Sequence, residues 1–313
     1  MRFFLLFSFL MGLLSPRAFA LTGMAVAGAP AAQVFLVFDE AKPSESYCAG
    51  TLVNPSFVIT AAHCAAEFVA EKKGTHAVYM QNALPTLSKI LNTENLAPLI
   101  EKRLRKELQT WRREIKSIAV APGYDLNAPM GSFFHPDAAD LSQVFAQTKD
   151  FLDPARNDLA VLTLDHPFAL PADFVFPTLA LDATAATPSN LRISATDFTN
   201  DPLISRSLNL GLYDDGSTQD KMRKLSGYEG LLTALHNFSL KDGEAIEAGD
   251  SGAPVYARTN ARAASESAWT LLGVSQSYIQ GEWSDGSKFQ ILFTVPLANH
   301  AAWLKSVLGT AAN

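Results

Sequence analysis

The chain owns only two cysteines, Cys48 and Cys64, and they bracket CAGTLVNPSFVITAAHC, with His63 set directly against the second. Free buried thiols, a disulfide or half of a metal site are all open to such a pair. Far downstream, EAGDSGAPVY (Glu247 to Tyr256) presents Ser251 in a glycine-flanked turn, which permits a tight backbone and leaves the hydroxyl uncrowded. Serines of that kind also occur in ordinary loops, so the turn acquires chemical meaning only in company. A serine hydroxyl needs a base to take its proton, and an imidazole base needs an acid to fix its tautomer and stabilise the imidazolium. His63, an aspartate and Ser251 would make such a unit.

Among the aspartates between His63 and Ser251, Asp158 in NDLAVLTL opens a nearly continuous apolar strand and so belongs at a core edge. A strand-opening turn residue is the plain alternative for it. Asp165 ends the same strand in DHP and reads as a turn residue, while Asp137 and Asp140 lie in an irregular polar stretch. The order His, Asp, Ser differs from the serine-first order of α/β-hydrolases and the aspartate-first order of subtilisin-like enzymes.

The elements that must hold these residues follow from pattern. Residues 1–20, MRFFLLFSFLMGLLSPRAFA, combine one early charge at Arg2, an apolar run from Phe3 to Leu14, a Ser-Pro break and Ala18-Phe19-Ala20 as a small-x-small cleavage site, which reads as a secretory signal peptide. Its apolar run is well short of the roughly 20 residues of a membrane-spanning helix, and no later stretch supplies a span. Export permits a disulfide, and with two cysteines Cys48 to Cys64 is the only pairing available. Closing that short loop constrains the unfolded chain by roughly 3 kcal/mol.

At 313 residues, 48% apolar and 18% charged, the chain can bury a large core. A net charge of −6 without long blocks of one sign argues against a nucleic-acid partner. No two-histidine metal motif, CxxC pair or glycine-rich phosphate loop is present, so neither metal nor cofactor is implied. Short apolar or alternating runs rich in Val, Ile, Thr and Phe fill the first and last thirds (31–38, 50–64, 115–125, 157–165, 268–278 and 288–296), as expected of a barrel or sandwich. A terminal helix is expected over Ala298 to Gly309, with Ala301, Leu304, Val307 and Leu308 on one face. Ile100, Leu104, Leu108, Trp111 and Ile115 repeat at helical spacing among Lys102, Arg103, Arg105, Lys106, Arg112 and Arg113. Such a helix either meets an anionic partner or membrane surface or simply turns a solvated face outward. Residues 170–190 are the candidate linker between two halves.

Three blocks, CAGTLVNPSFVITAAHC, NDLAVLTLDHPF and GDSGAP, together resemble the motifs around each catalytic residue of the chymotrypsin/trypsin-like serine proteases. AVAGAPA near residue 25, GVSQS (Gly273 to Ser277) and the closing helix with Trp303 echo the same family. The resemblance implies an all-β fold of two six-stranded antiparallel barrels with a C-terminal helix and a helical insertion in the first half. It would place a short leader at 21–24 and one peptidase domain at 25–313, the first barrel over about 25–170 and the second over about 190–313. Surplus chain between His63 and Asp158 forms insertions at 80–114 and 126–155, which restrict substrates, recruit a partner or are neutral decoration.

The same resemblance implies a secreted endopeptidase acting on polypeptides through an acyl-enzyme on Ser251, with His63 as base, Asp158 as its orienting acid, and the Gly249 and Ser251 amides as the oxyanion hole. Asp250 would pair with a new amino terminus at Ala25, although the preceding Met24 is not the usual basic residue. The specificity pocket would draw on Ala245 at its base and on Ser275, Ser277 and Ile291 in its walls. Ala245 brings no acid, so small or medium apolar residues are the expected preference, with Glu244 one position away. An inactive, binding or adhesive use of the same scaffold is the alternative.

Overall fold

Strand β1 (Gln33–Val37, QVFLV) has all five residues buried, because it sits between two neighbouring strands and is covered on both faces. Val34 and Leu36 point into one apolar cluster with Cys48, Leu52, Val58, Val78, Leu162 and Cys64. Phe35 and Val37, one step out of phase, point into another with Tyr47, Tyr79, Leu84, Leu87 and Leu108. A strand with two buried faces reads as an unbroken apolar run, and this one does.

The computed structural model describes residues 31–40, 43, 47–70, 76–93, 95–126, 157–182, 191–197, 204–212, 231–238, 246, 249–258, 269–282 and 288–309. The expected signal peptide and leader, Ala25, Ala245 and most of the 126–155 insertion lie outside these residues.

Seven strands form the first sheet: β1, β2 (Tyr47–Asn54), β3 (Phe57–Thr60), β4 (Ala77–Met80), β5 (Arg112–Arg113), β6 (Ile115–Val120) and β7 (Ala160–Leu164), in the order β5-β4-β1-β2-β3-β7-β6, all antiparallel. Only Glu114 separates β5 from β6. One bent strand therefore pairs with β4 at one end and β7 at the other, and the ring of six that the sequence suggested is closed by that bend.

The second sheet holds β8 (Thr178–Leu179), β9 (Leu191–Asp197), β10 (Ile204–Leu212), β11 (Leu231–Phe238), β12 (Pro254–Arg258), β13 (Trp269–Glu282) and β14 (Lys288–Pro296). Its order, β12-β9-β10-β11-β14-β13, returns to β12 through a β12–β13 pairing, giving a second antiparallel ring of six, while β8 adds in parallel beside β13. Full closure removes the exposed sheet edges that otherwise invite aggregation.

Between the barrels lies a shared core. Ile59, Leu159 and Val161 of the first meet Tyr256, Leu271, Val274 and Val295 of the second. The terminal helix, here α4 (Ala301–Leu308), closes that core with buried Leu304 and Leu308 and stops at Gly309 with φ +67°. Polar contacts cross the same seam: the Ser194 hydroxyl donates to Gln33 Oε1 at 2.6 Å.

The insertion after β4 folds as a hairpin of α2 (Leu84–Asn92) and α3 (Pro98–Leu108), which lies over the outer face of β1 and β4. The expected helix is shorter than its periodicity suggested: Ile115 belongs to β6, Trp111 to a single tight turn, and Ile100 faces water. Only Leu108 of α3 is fully buried, because the hairpin rather than the helix alone provides the apolar seal. Its exit is pinned where Arg112 donates to both carboxylate oxygens of Glu40 at 2.8 and 2.9 Å and the Tyr79 hydroxyl donates to the same group. Hydrogen bonding to Glu40 is the largest influence holding the Arg112 guanidinium protonated beyond its ordinary range.

Candidate active site

His63 is the second residue of α1 (Ala62–Ala70), which begins one residue after β3 ends. Ala61 and Ala62 are wholly buried there, and side chains this small let the helix start against the barrel core. A disulfide between Cys64 and Cys48 ties the first turn of α1 to β2. The two sulfurs and one His63 ring nitrogen lie within 4.8 Å of one another, a grouping of metal-ligand types, but both sulfurs are spent on each other in the disulfide.

Asp158 lies two residues ahead of β7 and is only 1% exposed. β7 pairs with β3, Ala160 opposite Thr60, and this register brings the carboxylate to the start of α1. Its Oδ1 accepts the His63 backbone N–H at 2.8 Å, and its Oδ2 lies 2.6 Å from His63 Nδ1. An ionised carboxylate can only accept, so Nδ1 carries the proton and the lone pair is on Nε2. Burial, the largest single influence on His63, works to lower its pKa; the charge and hydrogen bond of Asp158, helped by the charge of Glu67, together outweigh it and raise the pKa above 6.5.

Ser251 sits in a turn closed by the Ala253 N–H donating to Asp250 O at 3.0 Å. Gly249 at φ +102° and Gly252 at φ +76° give the turn a backbone that side-chain-bearing residues rarely adopt. Both barrels grip it. From the first, the Ala49 N–H donates to Ser251 O at 2.8 Å, and the Thr60 hydroxyl donates to Ala49 O at 2.7 Å. From the second, Ser275 O accepts the Gly252 N–H and the Ser275 N–H donates to Ala253 O, each at 2.8 Å. A Cβ on Gly252 would fall 3.1 Å from Ala61 N, so the turn touches the segment two residues ahead of His63.

The structure thus brings His63, Asp158 and the Ser251 turn to one place at the seam of the barrels. Among the described residues no hydrogen bond joins Ser251 to His63, and Nε2 has Cys64 Sγ as a neighbour at 3.6 Å. Catalytic hydrogen bonds of this kind often tighten only with substrate present. The Gly249 and Ser251 amides, expected to hold an oxyanion, donate to no backbone group among the described residues. Asp250 is wholly buried, while its expected partner Ala25 lies outside the described residues.

Of the expected pocket residues, Ser275 and Ser277 are buried on β13, on either side of a register shift at Gln276, and oppose Thr294 and Phe293. The backbone of Ile291 runs in β14 opposite Ile279, two positions along from the residue that faces Ser277. Three contacts were not anticipated. The Tyr47 ring lies so close to Gly249 that a Cβ there would come within 2.6 Å of it. Gln290 holds Ile246 by two hydrogen bonds, accepting its N–H at 2.8 Å and donating to its carbonyl at 2.9 Å. Ser277 donates to Gln276 Oε1 at 2.6 Å. The first had a signal in the aromatic residue beside Cys48; the amide contacts of Gln276 and Gln290 had none.

No curated protein sequence matches the chain. Among solved structures, a mutant of human heparin binding protein (CAP37) superposes with a TM-score of 0.50 at 16% identity, covering 92% of this chain and 96% of that one, which is a likeness of fold. The trypsin family model matches residues 24–304, a span that includes both barrels, the His63–Asp158 pair and the Ser251 turn between them, and on that match the chain belongs to the trypsin family.

Proposed function

We propose that the chain is a secreted serine endopeptidase that cleaves peptide bonds through an acyl-enzyme on Ser251. The observation that carries this reading is the buried pair in which Asp158 holds both the ring and the backbone of His63. A histidine so oriented keeps Nε2 free as a base, and the nearby turn offers a hydroxyl to it. Ser251 Oγ attacks the substrate carbonyl carbon as its proton passes to Nε2. The oxyanion forms against the Gly249 and Ser251 amides, each donor contributing roughly 3 to 4 kcal/mol. Nε2 then returns its proton to the departing amine as the C–N bond breaks. Water attacks the ester by the same path, frees the acid and restores Ser251.

Maturation follows from the same reading: removal of residues 1–20, then a cut that exposes Ala25 for an ion pair with buried Asp250. The leader-like sequence and the disulfide support secretion. Among the described residues no helix is long and apolar enough to cross a membrane. The pocket formed by Ala245, Ser275, Ser277 and Ile291 takes small or medium apolar side chains.

A binding or adhesive role on an inactive scaffold has one observation in its favour, the likeness to a protein named for heparin binding. A fluorophosphonate probe separates the two. The endopeptidase reading requires stoichiometric labelling of the mature protein that disappears in Ser251→Ala; an unlabelled, folded mature protein would favour the binding role.

A further inference from the structure

The geometry points to the α2–α3 hairpin as a docking element for an anionic phospholipid surface, a role separate from the peptidase reading. Large apolar side chains left exposed among the described residues number four, and three of them flank the α2–α3 turn: Leu91 at 38%, Leu99 at 83% and Ile100 at 53%. Further along, α3 buries Leu108 against the barrel and leaves Leu104 half-buried. At the helical repeat its opposite face carries Leu99, Lys102, Arg103 and Lys106, spaced i, i+3, i+4 and i+7. All four are exposed. Among the described residues Arg105 is paired with Glu101 at 2.8 Å, whereas no ion pair takes Lys102, Arg103 or Lys106.

The result is an apolar tip followed by a cationic shaft of about 6 Å from Lys102 to Lys106, at the helical rise of 1.5 Å per residue. A soluble polyanion would answer the three cations and leave Leu91, Leu99 and Ile100 in water. A bilayer interface answers both at once, with the apolar tip at the acyl boundary and the cations among headgroup phosphates. The hairpin is already folded against β1 and β4, so little order has to be created on docking. The chain as a whole carries −6, so an anionic surface repels the rest of the molecule and attracts this face, which fixes its orientation.

The test is co-sedimentation of the full protein with vesicles of equimolar phosphatidylglycerol and phosphatidylcholine, and with phosphatidylcholine vesicles alone. Partitioning onto the anionic vesicles and little onto the neutral ones is expected. Replacing Lys102, Arg103 and Lys106 together by Gln should lower that partitioning about 100-fold, the usual effect of three juxtamembrane cations. Leu99→Ser with Ile100→Ser, which leaves every charge in place, should lower it roughly tenfold. Both sets lie on the surface, so thermal unfolding should match that of the parent protein. Failure to partition, or equal partitioning onto neutral vesicles, overturns the proposal. Wild-type partitioning by the Leu99, Ile100 variant, together with equal capture of it and the parent by dextran sulfate, overturns it as well and assigns the face to a soluble polyanion.

Discussion

Gly252 packs against Thr60 so closely that a methyl group on it would lie 2.2 Å from the threonine hydroxyl oxygen and 2.3 Å from the carbonyl oxygen of Ala49. The turn bearing Ser251 is thereby indexed to the end of the strand that leads into His63. Gly252→Ala should reduce fluorophosphonate labelling at least 100-fold, since misplacement of about 1 Å costs that much. Adding Thr60→Ala should fail to restore it, because the Ala49 carbonyl is backbone and cannot withdraw. Recovery in the double variant would show that the close approach to Ala49 is unimportant.

The His63 environment predicts a pH dependence with a definite sign. Its pKa is raised above 6.5, so the imidazole is protonated at mildly acid pH, and with His63 in the proposed role of base kcat/KM should rise along a limb centred above 6.5. Stability runs the other way. A raised pKa means the folded state favours the proton: this contribution is complete below 6.5 and is lost as pH climbs through the folded value. Asp158→Asn removes the charge that raises it, so any residual activity should have its limb at lower pH, and kcat should fall by about 10⁴. A pH–rate profile of both proteins checks this, and an unchanged midpoint would remove Asp158 from its assigned role.

Cys48 and Cys64 close a loop across a sequence separation of 16, and their bridge holds the first turn of α1 on β2. Replacing both by Ala should cost roughly 3 kcal/mol, which at this chain length lowers the melting temperature by roughly 5 °C. Activity should fall more than stability, because Ala49, next to Cys48, is also the residue whose N–H holds Ser251 O. Differential scanning calorimetry beside probe labelling separates the two effects.

What the sequence reveals and what it hides divide along physical lines. β1 and β7 are buried on both faces, so their burial is written as continuous apolar runs, and Asp158 stands out as a charge at the mouth of one. Long-range register is not written in this way. Nothing local distinguishes Asp158 from Asp165 except which end of β7 it occupies; the pairing of β3 with β7 decides the matter by bringing one end to α1 and leaving the other in an exposed turn beside His166. The helical repeat in the sequence overruns α3 because Ile115, in the two-residue period of β6, also fits a helical spacing from Leu108 and Trp111. The Gln290 clamp on Ile246 joins residues 44 apart through one side-chain amide, a contact that leaves no periodic trace.

Asp250 is a wholly buried carboxylate beside Ser251, the proposed nucleophile, and the proposed maturation brings such a charge one partner more. If that partner is the amino group of Ala25, sequencing of active protein should return Ala-Val-Ala-Gly, and Asp250→Asn should lower kcat/KM through a disordered oxyanion hole while leaving the acid limb of the pH profile unmoved. Active protein beginning at Leu21 would take the Ala25 amino group out of this role.

Specificity is where strand register and sequence meet. Ser275 and Ser277 are buried on β13, with Phe293 opposite Ser277 on β14, and the Ser277 hydroxyl is committed to Gln276 Oε1 at 2.6 Å. The wall proposed for the pocket thus carries a β-carbon at Ser277 and a hydroxyl already engaged within the protein. Gln290 fixes Ile246 through both polar atoms of its one side-chain amide, next in sequence to Ala245, the residue expected at the pocket base. With no acid at that base, a peptide library should show cleavage after Ala, Val or Leu, graded rather than absolute, because one methylene in an apolar pocket discriminates by about 1 to 3 kcal/mol. Ser277→Gly should shift the preference toward larger apolar side chains such as Phe by roughly tenfold or more. Gln290→Leu should lower kcat/KM for every substrate, since it frees Ile246 without changing the width of the pocket. Dominant cleavage after Lys or Arg would overturn the apolar assignment and direct attention to Glu244, whose replacement by Ala should then abolish that cleavage.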